Sequence, residues 1–124
     1  MSAPCLHFVP YPGGNAESCA AVSDGRTVYI AQLTAPPQPV PADIRAQTNQ
    51  CLALLQTVLR QAGSSPSLLV RVEFTIADSR CIPAVEQVWN SWRPHPSPSP
   101  VWRFGRLPGA LVAVDAVAAV DLPN

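Results

Sequence analysis

The sequence predicts an α+β domain in the order ββαβαββ, a mixed sheet covered on one face by two helices. Three observations carry that expectation. Residues 44–59 repeat apolar side chains at helical spacing, residues 70–76 alternate apolar with polar, and residues 85–92 return to the helical period. Each predicted helix therefore falls between strands. The length of 124 residues fits one domain, 1–124, and no repeat or linker divides it.

Taken in order, the first fifteen residues carry Pro4, Pro10, Pro12 and the turn signal Gly13-Gly14-Asn15, and they predict an irregular arm. Cys19 to Val22 is a short strand, Ser23-Asp24-Gly25 a turn, and Thr27 to Leu33 a β-rich run, so the pair forms a hairpin. Ala35 to Pro41 is too proline-rich for a helix or a central strand and reads as a stiff surface loop. A helix starts near Asp43, with Ile44, Cys51, Leu52, Leu55, Val58 and Leu59 on one face and Gly63 just past its end. Val70, Val72, Phe74 and Ile76 then alternate with Arg71, Glu73 and Thr75, a strand with one buried and one polar face. Pro83 opens a second helix whose Val85, Val88, Trp89 and Trp92 share a stripe, with Trp89 packing in the core. After the proline run from Arg93 to Pro100, strands are expected at 101–106 and 111–120, joined at Leu107-Pro108-Gly109.

Composition removes several function classes. Only 13% of residues are charged against 48% apolar, so part of the surface is expected to be hidden in subunit contacts. No apolar run approaches a membrane span, and no basic segment precedes an apolar one at the start, which points to the cytosol. Net charge is zero and the arginines stand singly, without a stripe to track phosphates, so no nucleic-acid partner is expected. The chain has no lysine, which excludes a lysine Schiff base and with it covalently held pyridoxal phosphate. Cys5, Cys19, Cys51 and Cys81 form no CxxC pair, and only His7 and His95 could complement them. They are expected as unpaired thiols without a metal, Cys51 packing as a small hydrophobe.

The order of elements, together with particular residues, resembles the Rid family of reactive-intermediate deaminases along nearly the whole chain. Gly25-Arg-Thr-Val-Tyr29 and Gln32 match that family's first hairpin, with one residue fewer before the glutamine. Gln47-Thr48 and Gln50, then Ala62-Gly-Ser-Ser65, are similar to its first helix and that helix's end. Leu69 to Asp78 resembles its central strand, and Arg106-Leu-Pro108 followed by Val112 to Ala118 its closing hairpin. The resemblance implies a chorismate-mutase-like fold and a homotrimer with a small-molecule substrate in clefts between subunits. It also implies hydrolysis of enamines or imines such as 2-aminoacrylate to a keto acid and ammonia, with no metal or organic cofactor. An arginine clamps the substrate carboxylate and a last-strand carboxylate activates water.

Carried over residue by residue, the water-activating carboxylate falls on Asp115, alone in an apolar strand, where it must be hydrogen-bonded, paired or partly neutralised. The clamping arginine is missing: its place is Ser99. Arg103 keeps the same side of an ideal strand but lies four residues on, about 13 Å away at ~3.3 Å per residue. The family's tyrosine near the first strand corresponds to Ser18, and its asparagine of the second helix to Glu86. Tyr29 matches a common family residue, and Trp102 is a large neighbour of the altered region. Three functions remain open on these residues. One is a diverged catalyst in which Asp115 works as acid or base on an imine, enamine or related carbonyl intermediate of a specialised biosynthetic pathway. The others are a conventional deaminase that recruits Arg103 and a non-catalytic trimer that binds a metabolite.

Overall fold

A computed structural model describes residues 6–12, 19–35 and 43–122. Ser18, Cys5 and the proline run 36–41 lie outside them. Eight principal elements follow in the order β1 His7–Pro10, β2 Cys19–Ser23, β3 Thr27–Thr34, α1 Ile44–Gln61, β4 Leu69–Ile76, α2 Ile82–Trp92, β5 Val101–Phe104 and β6 Val112–Ala119. The six strands form one sheet in the order β1-β2-β3-β6-β4-β5, with β4 and β5 parallel and every other pair antiparallel. The predicted ββαβαββ frame is present, mixed sheet and paired helices included. One strand is added in front of it: His7–Pro10, expected as part of an irregular arm, pairs along β2. Proline is admissible there because β1 is an edge strand and Pro10 ends it.

The β2–β3 turn is held by Asp24, whose carboxylate accepts from the amides of Arg26 at 2.9 Å and Thr27 at 2.8 Å. Those two amides hold its pKa below the ordinary value. Asp43 caps α1 by accepting from the Arg45 amide. At the other end Ser64 N donates to Leu59 O at 2.8 Å and Gly63 N to Arg60 O at 3.1 Å, a Schellman closure that requires the left-handed φ of 78° at Gly63. Buried Gln47 accepts from Leu111 N at 2.8 Å and so ties the start of β6 to α1.

The two helices cover one face of the sheet. Cys51, Leu52, Leu55, Val58 and Leu59 of α1 and Val85, Val88 and Trp89 of α2 are buried with Val72, Phe74, Ile76, Val112 and Val114 of the sheet. Phe74 is the hinge of this core, edge-on to Trp89 at 5.8 Å and stacked on Trp102 at 5.4 Å. Cys51 is fully buried as expected, and burial pushes its thiol up to about 11. Two local expectations are corrected. Val70 is 63% exposed, because a register shift between Leu69 and Arg71 puts Leu69 in the core instead. The last two strands are not a hairpin: α2 carries the chain from β4 across to β5 in parallel, and β6 returns on the other side of β4.

Candidate functional site

Alternation along the strands gives the sheet a second face, on which no helix of the described residues packs. Tyr29 stands opposite Val22 on one side and Val117 on the other, Val117 opposite Arg71, and Glu73 opposite Asp115. Together with Ala31 these side chains line a hollow of ≈ 320 Å³. It is apolar at the Val22, Tyr29 and Val117 end and charged at the Arg71, Glu73 and Asp115 end. A hollow with few polar groups set in apolar walls is the usual form of a small-molecule site.

Asp115 lies where β3 loses its register. Pairing passes from Ile30 opposite Ala116 to Leu33 opposite Val114, so Ala31 and Gln32 together face the single residue Asp115. This is a β-bulge, and it centres on Gln32, whose left-handed φ of 48° costs a non-glycine residue about 1–2 kcal/mol. The backbone amide of Gln32 lies beside the Asp115 carboxylate and acts to lower its pKa. Burial nevertheless dominates and raises the Asp115 pKa, with the Gln32 amide and the Arg103 charge opposing it. The outcome is a half-buried carboxyl whose neutral form is favoured more than an exposed aspartate's, the environment a proton-transferring acid needs.

The Glu73 side chain is only 13% exposed and is held between two arginines: Arg71 at 3.7 Å, and Arg103 through its Nε. Like charges set directly opposite across a sheet repel, so these two arginines are what allow Glu73 and Asp115 to face each other. With Asp115 ionised the four groups balance; with Asp115 protonated the cluster carries one net positive charge. Tyr11, which follows β1, donates its hydroxyl to the Gln32 carbonyl at 2.9 Å. Its own pKa is raised, by burial first and then by the Asp115 charge, so it remains a phenol at neutral pH.

The predicted site residues separate into two groups. Asp115 and Tyr29 line the hollow, and Arg103 lies close enough for its charge to act on Asp115. Trp102 turns to the helix-covered face and stacks on Phe74. Glu86 is exposed on α2, in the helix layer on the far side of the sheet from Asp115, and Ser99 is exposed in the irregular stretch ahead of β5. Ser18 lies outside the described residues. Four further residues had not been singled out. Arg71 and Glu73 were legible only as the polar face of a strand. Gln32 carried one signal, the missing residue before it, and Tyr11 carried none because its arm gave no strand pattern.

Topology carries Arg103 to Glu73. Arg103 pairs with Thr75 on β4, beside Glu73, and the parallel β4–β5 contact brings its long side chain back along the open face to Glu73. Among the described residues no group of three or more histidine, cysteine, aspartate or glutamate side chains could hold a metal, and no helix is long and apolar enough to cross a membrane.

Comparison with known proteins agrees with this architecture. The fold is shared with a YjgF-family protein of Neisseria meningitidis (TM-score 0.83, 16% identity, 97% of this chain and 98% of that one). It is shared also with RidA of the Antarctic bacterium Psychrobacter (0.78, 19%, 93% and 98%). A Mycobacterium tuberculosis member of the YjgF/YER057c/UK114 family is 27% identical with a TM-score of 0.75, over 94% of this chain and all of that one. The mitochondrial protein mmf1 of Schizosaccharomyces pombe is 43% identical over 53 residues, which is 43% of this chain and a third (33%) of that protein. Since the sequence pattern of the Endoribonuclease L-PSP family matches residues 14–120, the chain belongs to that family, the YjgF/Rid group of proteins.

Proposed function

We propose that the protein is a Rid-type enzyme that transforms an imine, enamine or related carbonyl intermediate, with Asp115 as the acid–base group. The observation that carries this reading is the placement of Asp115: half-buried, its pKa raised, set beside the Gln32 backbone, and facing a small-molecule-sized hollow. A carboxyl in that state can protonate the β-carbon of an enamine or the nitrogen of an imine. The carboxylate so formed then orients and deprotonates the attacking water. The product pair is a ketone or keto acid and ammonia, and neither metal nor organic cofactor is required. The test is ammonia release from 2-aminoacrylate and bulkier imines generated in situ, comparing the native protein with Asp115→Asn. Release that depends on Asp115 supports the reading. No release by the native protein from any of these substrates, or undiminished release by the variant, sinks it.

A second version is favoured by one specific observation, the reach of Arg103 to the Glu73 and Asp115 side of the cluster. Here Arg103 anchors a substrate carboxylate, replacing the arginine that would stand at Ser99. Its contact with Glu73 is made at Nε and its side chain stays 65% exposed, which suits the terminal guanidinium fork to a second anion. Arg103→Ala is expected to raise KM for a carboxylate-bearing imine by about 10–100-fold, the loss of a charge-assisted contact of roughly 1.5–3 kcal/mol. An uncharged imine of the same size should be little affected. Equal loss on both would exclude an anchoring role.

The family's ribonuclease description finds little support in the site: two arginines facing two carboxylates make no phosphate track. A homotrimer, with the hollow closed by a neighbouring copy, is part of this reading. Phe8, Val22, Tyr29 and Val117 form a continuous cross-strand row on the open face, and Tyr29 is 53% exposed in the single chain. Tyr29→Glu is expected to shift the mass in light scattering from trimer toward monomer. The cytosolic compartment remains part of the proposal; the fission-yeast relative's mitochondrial name belongs to a protein matched over a third of its length.

A further inference from the structure

We infer that Tyr11 is a positioning residue for Asp115 and acts through the backbone of Gln32: the Tyr11 hydroxyl holds the Gln32 carbonyl, which fixes the left-handed bulge that aims the Gln32 amide at the carboxylate. The inference rests on Asp115 being the working carboxyl group, and three observations converge on it. Gln32 holds φ at 48°, a conformation that a non-glycine side chain adopts only where its surroundings impose it. Its peptide is the point at which β3 slips register against β6, so no ladder partner fixes it there. Its carbonyl nevertheless receives the Tyr11 hydroxyl at 2.9 Å, across 21 residues of sequence, while its amide serves Asp115.

The two ends of Gln32 are thereby coupled. A left-handed residue turns its own amide out of the sheet plane, and holding its carbonyl resists the swing back to extended backbone. That swing would return the amide toward the ladder and take it from the carboxylate. Phenylalanine at position 11 fills the same space without the grip. Tyr11 itself never needs to ionise, since its pKa is raised above the ordinary tyrosine value. Its chemistry is that of a neutral donor throughout the working range.

Asp115 titrates among several charges. Arg103 of β5 favours its ionised form, Glu73 of β4 faces it directly and is held by Arg71 and Arg103, and Tyr11 approaches from the segment after β1. Against that fixed background, loss of the Gln32 amide removes one of the two influences that lower the Asp115 pKa. The pKa of the carboxyl group must therefore move up.

The experiment is carbon-13 titration of the Asp115 side-chain carboxyl in the whole protein, for the native chain, Tyr11→Phe, Gln32→Gly and the double variant. Tyr11→Phe is expected to displace the midpoint upward and to speed hydrogen exchange at the Gln32 amide. Glycine reaches a left-handed φ without penalty. In the Gln32→Gly background the Tyr11→Phe displacement should accordingly fall by roughly half or more, the non-additivity expected of groups that act through one another. In the ammonia assay Tyr11→Phe should lower kcat on the order of tenfold, with KM unchanged. An unmoved midpoint in Tyr11→Phe overturns the inference, as does an equal displacement in both backgrounds, which would mean that the hydroxyl acts on Asp115 directly. The titration needs no substrate. Ammonia release independent of Asp115 therefore counts against the proposed function, while an unmoved midpoint alongside Asp115-dependent release counts against Tyr11 alone.

Discussion

Asp115→Asn is expected to lower ammonia release by about 10²–10⁴-fold, the range for loss of a positioned acid–base group. Asparagine is the informative replacement because its Oδ1 still accepts from the Gln32 amide while the side chain can no longer transfer a proton. The same variant should be more stable than the native protein at pH values above the folded-state pKa of Asp115. Burial raises the folded-state pKa of Asp115 above the ordinary 3.8, so the folded state prefers the protonated carboxyl more than the unfolded chain does. That preference is fully present below 3.8 and is lost as pH rises through the raised folded value. Above it the native protein carries an ionised, half-buried carboxylate that the variant lacks. Thermal unfolding at a series of pH values should therefore show the two melting curves parting across that window, with the asparagine variant melting higher above it. A variant inactive and less stable at every pH would instead mean that Asp115 holds the fold together.

Phe74→Ala is expected to destabilise the domain by about 3–5 kcal/mol, from lost apolar transfer and the cavity left behind. Phe74 has no exposed surface and joins the helix layer to the edge of the sheet, edge-on to Trp89 of α2 and stacked on Trp102 of β5. Its removal leaves both indoles without their shared partner. Domains of this size hold only about 5–15 kcal/mol in total, so the loss is a large share of the whole. Phe74→Leu keeps most of the volume and should cost well under half as much. Urea unfolding at unchanged slope separates the two, and similar midpoints for alanine and leucine would contradict the packing role. The effect reaches the site as well. Residues 73 and 74 alternate faces of one strand, so loosening Phe74 frees Glu73 and with it the Arg103 contact.

The helices and most of the sheet were legible because each leaves a short-range mark. The stripe from Ile44 to Leu59, the Asp43 cap, Gly63 at the left-handed end of α1 and the alternation from Val72 to Ile76 are local patterns that local physics enforces. Asp115 was reached through the family resemblance, and its setting, a single carboxylate in an apolar strand that must be satisfied somewhere, agreed with it. β1 was not, since two prolines mask an edge strand that exists only because β2 offers it an unpaired ladder.

What the sequence determined by itself was thus the element order and the faces of the helices, and its family resemblance pointed to Asp115 as the carboxylate to examine. The tertiary structure alone decided which charges that carboxylate meets. Glu73 is 42 positions earlier in the chain and comes to Asp115 only because β6 inserts between β3 and β4. Arg103, too far along an ideal strand from the place of Ser99, reaches the cluster because β5 runs parallel beside β4. Tyr11 and Gln32 meet through a bulge that shows in no periodicity. Side-chain spacing within one strand or helix is fixed by backbone geometry and can be read residue by residue. Strand order, register slips and the charges they bring together follow from packing the whole sheet against its helices, and no local pattern encodes them.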